Sequence, residues 1–223
     1  MSTHPLDTFG PHYPNRAERL ADGLVHGLGL LGAFVGGAVL LLWSIQAGDF
    51  GRAVATSLYA LCLLMMLLAS TIYNLSHPCR VRPWLRRMDE AAIFLLIAGS
   101  YTPFTVQLDG AWGVFLTGFV WVLALIGVAG RLFITTLSER FWCGFYIAMG
   151  WLSVVALKLL IEEIPVVALG LLALGGLLYT AGVPLFLHHK LPFRRAIWHG
   201  FVVAGAALHY GAVLYGVVLR DVV

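Results

Sequence analysis

Apolar residues fall along this chain in long blocks separated by short polar connections. A lipid bilayer core is crossed by a helix of about 20 mostly apolar residues. Seven blocks reach that length, over residues 24–46, 53–75, 88–107, 112–134, 141–161, 165–187 and 196–219. The pattern predicts an all-α fold, a single seven-helix membrane domain over residues 18–223. A flexible cytoplasmic tail over 1–17 precedes it, rich in turn formers such as Pro5, Gly10, Pro11 and Pro14. The third block is the least uniform, because Asp89 and Glu90 open it. The alternative is six spans, with 88–107 lining a cavity.

Composition agrees with that reading. The chain is 60% hydrophobic and 11% charged, with a mean hydropathy of +0.88, whereas soluble domains are about 25% charged. Placement of charge says more than the net +3. Arg16, Arg19, Arg80, Arg82, Arg86, Arg87, Arg131, Arg140, Lys190, Arg194 and Arg195 fall on one side of the expected topology, against Arg52, Lys158 and Arg220 on the other. The positive-inside rule then predicts a cytoplasmic N-terminus and an outside C-terminus in a multi-pass plasma (inner) membrane protein. Residues 1–20 are polar, so the first apolar helix is expected to direct insertion itself. The expected partners are membrane lipids. The basic run Arg80–Arg87 reads as positive-inside, and no Gly-rich phosphate loop, GxSxG or HExxH is present, so neither nucleic acid nor nucleotide is expected. Cys62, Cys79 and Cys143 form no disulfide framework. Glycines crowd the first, sixth and seventh blocks, which predicts close packing among those three helices.

Ionisable residues inside membrane spans are costly and raise a functional hypothesis. Asp22 and His26 are four apart and share a face as the first span begins. Ser70 and Asn74 share a face where the second ends, in the stretch ASTIYNLSH. Asp89 opens the third span, and Arg195 and His199 share a face at the start of the seventh. The alternating topology puts all of these at one depth. His209 lies about 15 Å further along its helix than His199, and reads as a packing histidine. Lys158 reads as a snorkelling interfacial residue.

The stretches ASTIYN, RRMDEAAIFLLIAGSYTPF, YIAMGWLS and AIWHGFVVAGAALHY resemble the bacterial hemolysin III proteins, of the same superfamily as the adiponectin and progestin receptors. The resemblance runs from about Glu18 to Tyr215. It implies a seven-helix bundle and a zinc site near the cytoplasmic face. The family pattern is Ser-x-x-x-His ending the second helix, Asp opening the third, and His-x-x-x-His opening the seventh. Ser70, Asp89 and His199 match it. Asn74 and Arg195 stand where the other two histidines belong.

Those departures change the chemistry. Zinc is held by thiolate, imidazole or carboxylate. An amide oxygen is a poor substitute, and a guanidinium has no lone pair to offer. Zinc is therefore expected to be weak or absent, with His199 the one family ligand retained. His26, His77 and Asp22 are possible accessory groups, with His26 or His77 able to recruit a metal beside His199 and Asp89. Another expectation is that Arg195 pairs with Asp89 in place of the metal, with Asn74 and Ser70 completing the hydrogen bonds. Three functions compete. One is lipid binding or membrane homeostasis at a degenerate metal site. Another is a zinc-dependent, ceramidase-like lipid amide hydrolase, with Asp89 and Ser70 catalytic. The last is a cytolysin or channel, although no span carries a polar stripe from end to end.

Overall fold

The computed structural model describes residues 12–77, 79–108 and 110–220. Among them the architecture is all helical. The helices are α1 (Arg16–Gln46), α2 (Phe50–Leu75), α3 (Arg82–Thr105), α4 (Ala111–Phe133), α5 (Glu139–Gly150), α6 (Leu157–Glu163), α7 (Val166–Leu187) and α8 (Arg194–Val213). A 3₁₀ turn at Trp151–Val154 joins α5 to α6, and α8 ends in a π turn at Leu214–Val218.

The starts of these helices follow from local chemistry. Asn15 caps α1 by accepting from the Glu18 amide, and its own amide donates to the Glu18 carboxylate. The first of these bonds satisfies one backbone donor left free at the helix start. The α1–α2 turn is short because Gly48 takes a φ of +74°, and Asp49 then caps α2. Pro83 opens α3, where its missing N–H costs nothing.

Five helices are long and apolar enough to cross a membrane: α1, α2, α4, α7 and α8 with its π turn. The α5–α6 pair makes a sixth if it is one span bent by 55°. The expected third span forms a helix, but Asp89, Glu90 and the hydroxyls of Ser100, Thr102 and Thr105 hold α3 below that hydropathy level. It also lines the internal cavity.

Sequential helices pack side by side from α1 to α4, α7 pairs with α8, and α8 closes back on α1. Large apolar side chains such as Leu24, Leu28, Leu31, Phe115 and Ile126 face outward. In a bilayer that face meets lipid. Small residues set the close approaches. A Cβ on Gly36 of α1 would sit 2.8 Å from Tyr210 of α8, and one on Gly175 of α7 would overlap the His209 ring. His209 thus packs against Gly175 and bonds Leu172 O at 3.3 Å. The expected three-way packing is corrected in one respect: α8 stands between α1 and α7, which do not pack on each other to any extent.

Ion pairs sit at both ends of the bundle. At one end Arg86 bonds Glu90 at 2.8 Å and also pairs with Glu139, while Arg131 pairs with Glu90. These ties hold α3, α4 and α5 together. At the other end Arg220 pairs with Glu163 at 3.1 Å, and Arg52 with Asp49 at 3.8 Å. Between the ends α5 leans on α3 and α7 and scarcely touches the α4 backbone.

The glycine contacts give a direct stability test. Gly175→Ala drives a methyl into a packed ring and should cost roughly 1–3 kcal/mol. Gly170 faces open space, so Gly170→Ala should be neutral or slightly stabilising. Thermal unfolding of both variants in detergent checks the difference. Equal midpoints would refute this account of the α7–α8 contact.

Candidate functional site

Asp22 and His26 sit one turn apart on the buried face of α1, at 0% and 2% exposure. A carboxylate at that burial needs partners or it neutralises. Asp22 has two: Oδ2 accepts from the Tyr13 hydroxyl, and Oδ1 lies 2.7 Å from His199 Nδ1. A carboxylate only accepts, so the Nδ1 proton belongs to His199. His26 Nδ1 lies 2.8 Å from the Asp22 carbonyl, which also only accepts. Both imidazoles are thereby held with Nε2 as the free lone pair.

Those two lone pairs converge on one hydroxyl. Ser70 Oγ is 3.3 Å from His26 Nε2 and 3.4 Å from His199 Nε2. The neighbouring Thr71 returns its hydroxyl to Leu67 O, the usual habit of a helical hydroxyl. Ser70 instead has its oxygen among side chains. Asn74 Nδ2 donates to Ser70 O at 3.0 Å, to Ser70 Oγ at 3.3 Å and to Asp89 Oδ2 at 3.5 Å.

The structure thus gathers Asp22, His26, Ser70, Asn74, Asp89 and His199 at one point, from four helices. Arg195 lies beside them with a different partner from the one expected. Its Nε donates to the His12 carbonyl at 3.3 Å, and its guanidinium lies 5.8 Å from the Tyr13 ring centroid. The expected ion pair with Asp89 is not among its contacts. His77 is exposed beyond the end of α2 and does not join the cluster.

No local pattern in the chain marks His12 and Tyr13 as site residues. Residues 12–17 were expected in a flexible tail, yet Tyr13 is 8% exposed and α1 begins at Arg16. Residues 1–11 lie outside the described residues. His12 Nε2 bonds Asn74 Oδ1 at 2.9 Å, and its ring meets Tyr73 edge-on. The strap 12–15 therefore caps the cluster, held by the two residues that depart from the family pattern.

Behind the cap lies a cavity of about 840 Å³, within the roughly 300–1,000 Å³ usual for ligand pockets. Its polar floor includes His26, Ser70, Asn74, Asp89 and His199, and its walls are largely apolar. Trp112, Phe115, Phe119, Val154 and Val155 line it while also standing exposed on the outer surface. The cavity consequently opens sideways between α4 and the α5–α6 break, and part-exposed Arg86, Glu139 and His189 border it at the charged end.

The residues at the family's zinc positions do not fit zinc. The Asn74 oxygen faces the His12 ring and Arg195 is a cation, which leaves His199 alone. The three metal-capable groups that do converge are Asp22, His26 and His199, whose ligand atoms lie within 4.8 Å of one another. These could hold a metal.

An all-helical bundle with several lipid-facing helices and a buried polar floor defines a multi-pass membrane protein. Its sequence matches the family model described as Haemolysin-III related over residues 16–210, and the chain belongs to that family. It is 35% identical over 199 residues to Hemolysin-3 of Bacillus cereus, covering 89% of this chain and 91% of that one. It is 33% identical over 200 residues to the Hemolysin-3 homolog of Bacillus subtilis (strain 168), covering 89% and 93%. Against the Monocyte to macrophage differentiation factor of Homo sapiens it is 27% identical over 220 residues, covering 94% and 89%.

The strap carries a pH signature. Burial, reinforced by the nearby Arg195 guanidinium, pushes the His12 imidazole down to about 3. The free value is about 6.5, so between these values the unfolded chain binds more protons. The His12 contribution to stability is therefore complete above about pH 6.5 and is lost as pH falls toward 3. Unfolding midpoints measured from pH 7.5 to 4 should fall in the parent more steeply than in His12→Gln. Parallel profiles would show that His12 is not held neutral by the fold.

Proposed function

We propose that this protein binds a single-chain amphiphile in the cavity and acts in membrane lipid homeostasis. The carrying observation is one space with a hydrogen-bonding floor, apolar walls and a lateral opening through lipid-facing residues. A lipid could enter from the bilayer without crossing water, leaving its head on the Ser70–Asn74–Asp89 floor and its chain against Ile97, Leu116 and Phe119. In this reading α3 completes a seventh span, because its polar groups face the cavity and the bundle interior. The N-terminus is cytoplasmic and the membrane is the plasma membrane. The excess of Arg and Lys at the end of the bundle that carries the site supports this orientation.

The second reading is a metal-dependent lipid hydrolase, favoured by the convergence of Asp22, His26 and His199. Zinc at one per chain, lost in His26→Ala, would support it over plain lipid binding.

Native mass spectrometry of the purified protein tests the first reading. About one long-chain amphiphile per chain should co-purify. Ile97→Trp, which fills the cavity, should weaken retention about tenfold, or about 1.4 kcal/mol. Retention unchanged in a correctly folded Ile97→Trp would remove the cavity from the function.

A further inference from the structure

The most specific arrangement in the molecule is the line Asp22–His199–Ser70. Asp22 Oδ1 lies 2.7 Å from His199 Nδ1, and His199 Nε2 lies 3.4 Å from Ser70 Oγ. The carboxylate is fully buried and His199 is 8% exposed, while Ser70 borders the cavity. A buried acid orienting an imidazole whose far nitrogen faces a hydroxyl is the logic of nucleophilic serine catalysis. It is recognised by geometry and roles, not by chain order, and the nucleophile–base distance is often looser without substrate. We infer that Ser70, His199 and Asp22 form an intramembrane acyl-transfer triad acting on a carboxylic ester of a long-chain lipid. This rests on the reading of the cavity as a lipid site.

The neighbours assign the remaining roles. His26 Nε2 also faces Ser70 Oγ, at 3.3 Å, but the nearer partner of its Nδ1 is the neutral Asp22 carbonyl, with the carboxylate at 3.7 Å. The imidazolium formed on taking a proton is better offset at His199, so His199 is the base and His26 a positioning group. Asp89 sits within hydrogen-bond reach of both Asn74 and Ser70, and it positions the two of them. Asn74 Nδ2, 3.3 Å from Ser70 Oγ, is the donor available to a developing oxyanion. Asp22 acts through His199 and is a positioning residue.

The step balances with water as co-reactant. Ser70 Oγ bonds to the ester carbonyl carbon as its proton moves to His199 Nε2. The carbon–oxygen bond to the alcohol breaks, and the alcohol leaves with that proton. Water, deprotonated by His199, then releases the fatty acid and restores Ser70. No metal enters this sequence.

The test is labelling of the full-length protein in detergent with a long-chain alkyl fluorophosphonate, which forms an oxygen–phosphorus bond and expels fluoride. Peptide mass spectrometry should place the adduct on Ser70, with every other serine serving as an internal control. This arm needs no variant. His199→Ala should slow labelling by about 10²–10⁴-fold, the usual contribution of a general base. Asp22→Asn should slow it too, and should shift the pH profile of the labelling rate, which a merely structural loss would not do. A chelator should leave the rate unchanged. No adduct on Ser70, or labelling equally fast in folded His199→Ala, overturns the triad. Ester hydrolysis abolished by a chelator, without Ser70 labelling, overturns it in favour of a metal site. Co-purified lipid without an adduct removes the triad alone. An adduct without co-purified lipid removes the lipid-homeostasis reading alone.

Discussion

The buried carboxylate of Asp22 is the constraint around which the rest is arranged. A fully buried ionised group is tolerated only when its lone pairs are filled. Tyr13 fills one oxygen from the chain segment ahead of α1, and His199 fills the other from α8. The His199 bond joins the first and last helices of the bundle, where α8 closes back on α1, and the Tyr13 bond ties the strap to α1. The Asp22 Oδ1 bond also fixes the tautomer of His199. The Asp22 carbonyl fixes that of His26 by the same rule. One residue therefore sets the chemical state of both imidazoles that face Ser70.

The two departures from the family pattern form a single device. An amide at 74 and a guanidinium at 195 are both hydrogen-bonding groups where lone-pair ligands would stand. The structure uses both to hold His12, one through its ring and the other through its carbonyl. The strap lies over the polar cluster, and the cavity beneath it is bordered both by exposed apolar residues beside α4 and by part-exposed Arg86, Glu139 and His189 at the charged end. A single change at either position would disturb the cap and the floor together.

α3 meets two demands that conflict in its composition. It packs between α2 and α4 at the centre of the bundle, and it supplies Asp89, Ser100 and Thr105 to the cavity surface. Ion pairs at its start, Glu90 with Arg131 and Arg86, offset the charge of this helix. The 3₁₀ turn at Trp151–Val154 and the break that follows it line the cavity opposite α4.

The helical class, the apolar blocks and the common depth of Asp22, His26, Ser70, Asn74, Asp89 and His199 are legible in the residue pattern alone. Hydrophobic length and four-residue spacing are local properties, legible without a fold. They also exposed Asn74 and Arg195 as substitutions. Which groups pair depends on how the helices come together. Arg195 turns to the strap rather than to Asp89, and His77 falls outside. His12 and Tyr13 come inside from what composition alone marks as tail. α3 shows the limit from the other side, since its helix was legible but its low hydropathy makes sense only once the cavity it lines is seen. These outcomes rest on hydrogen bonds between residues as many as 183 positions apart. Periodicity carries no information about such partners, because they are selected by the competition of buried polar groups for a few donors and acceptors.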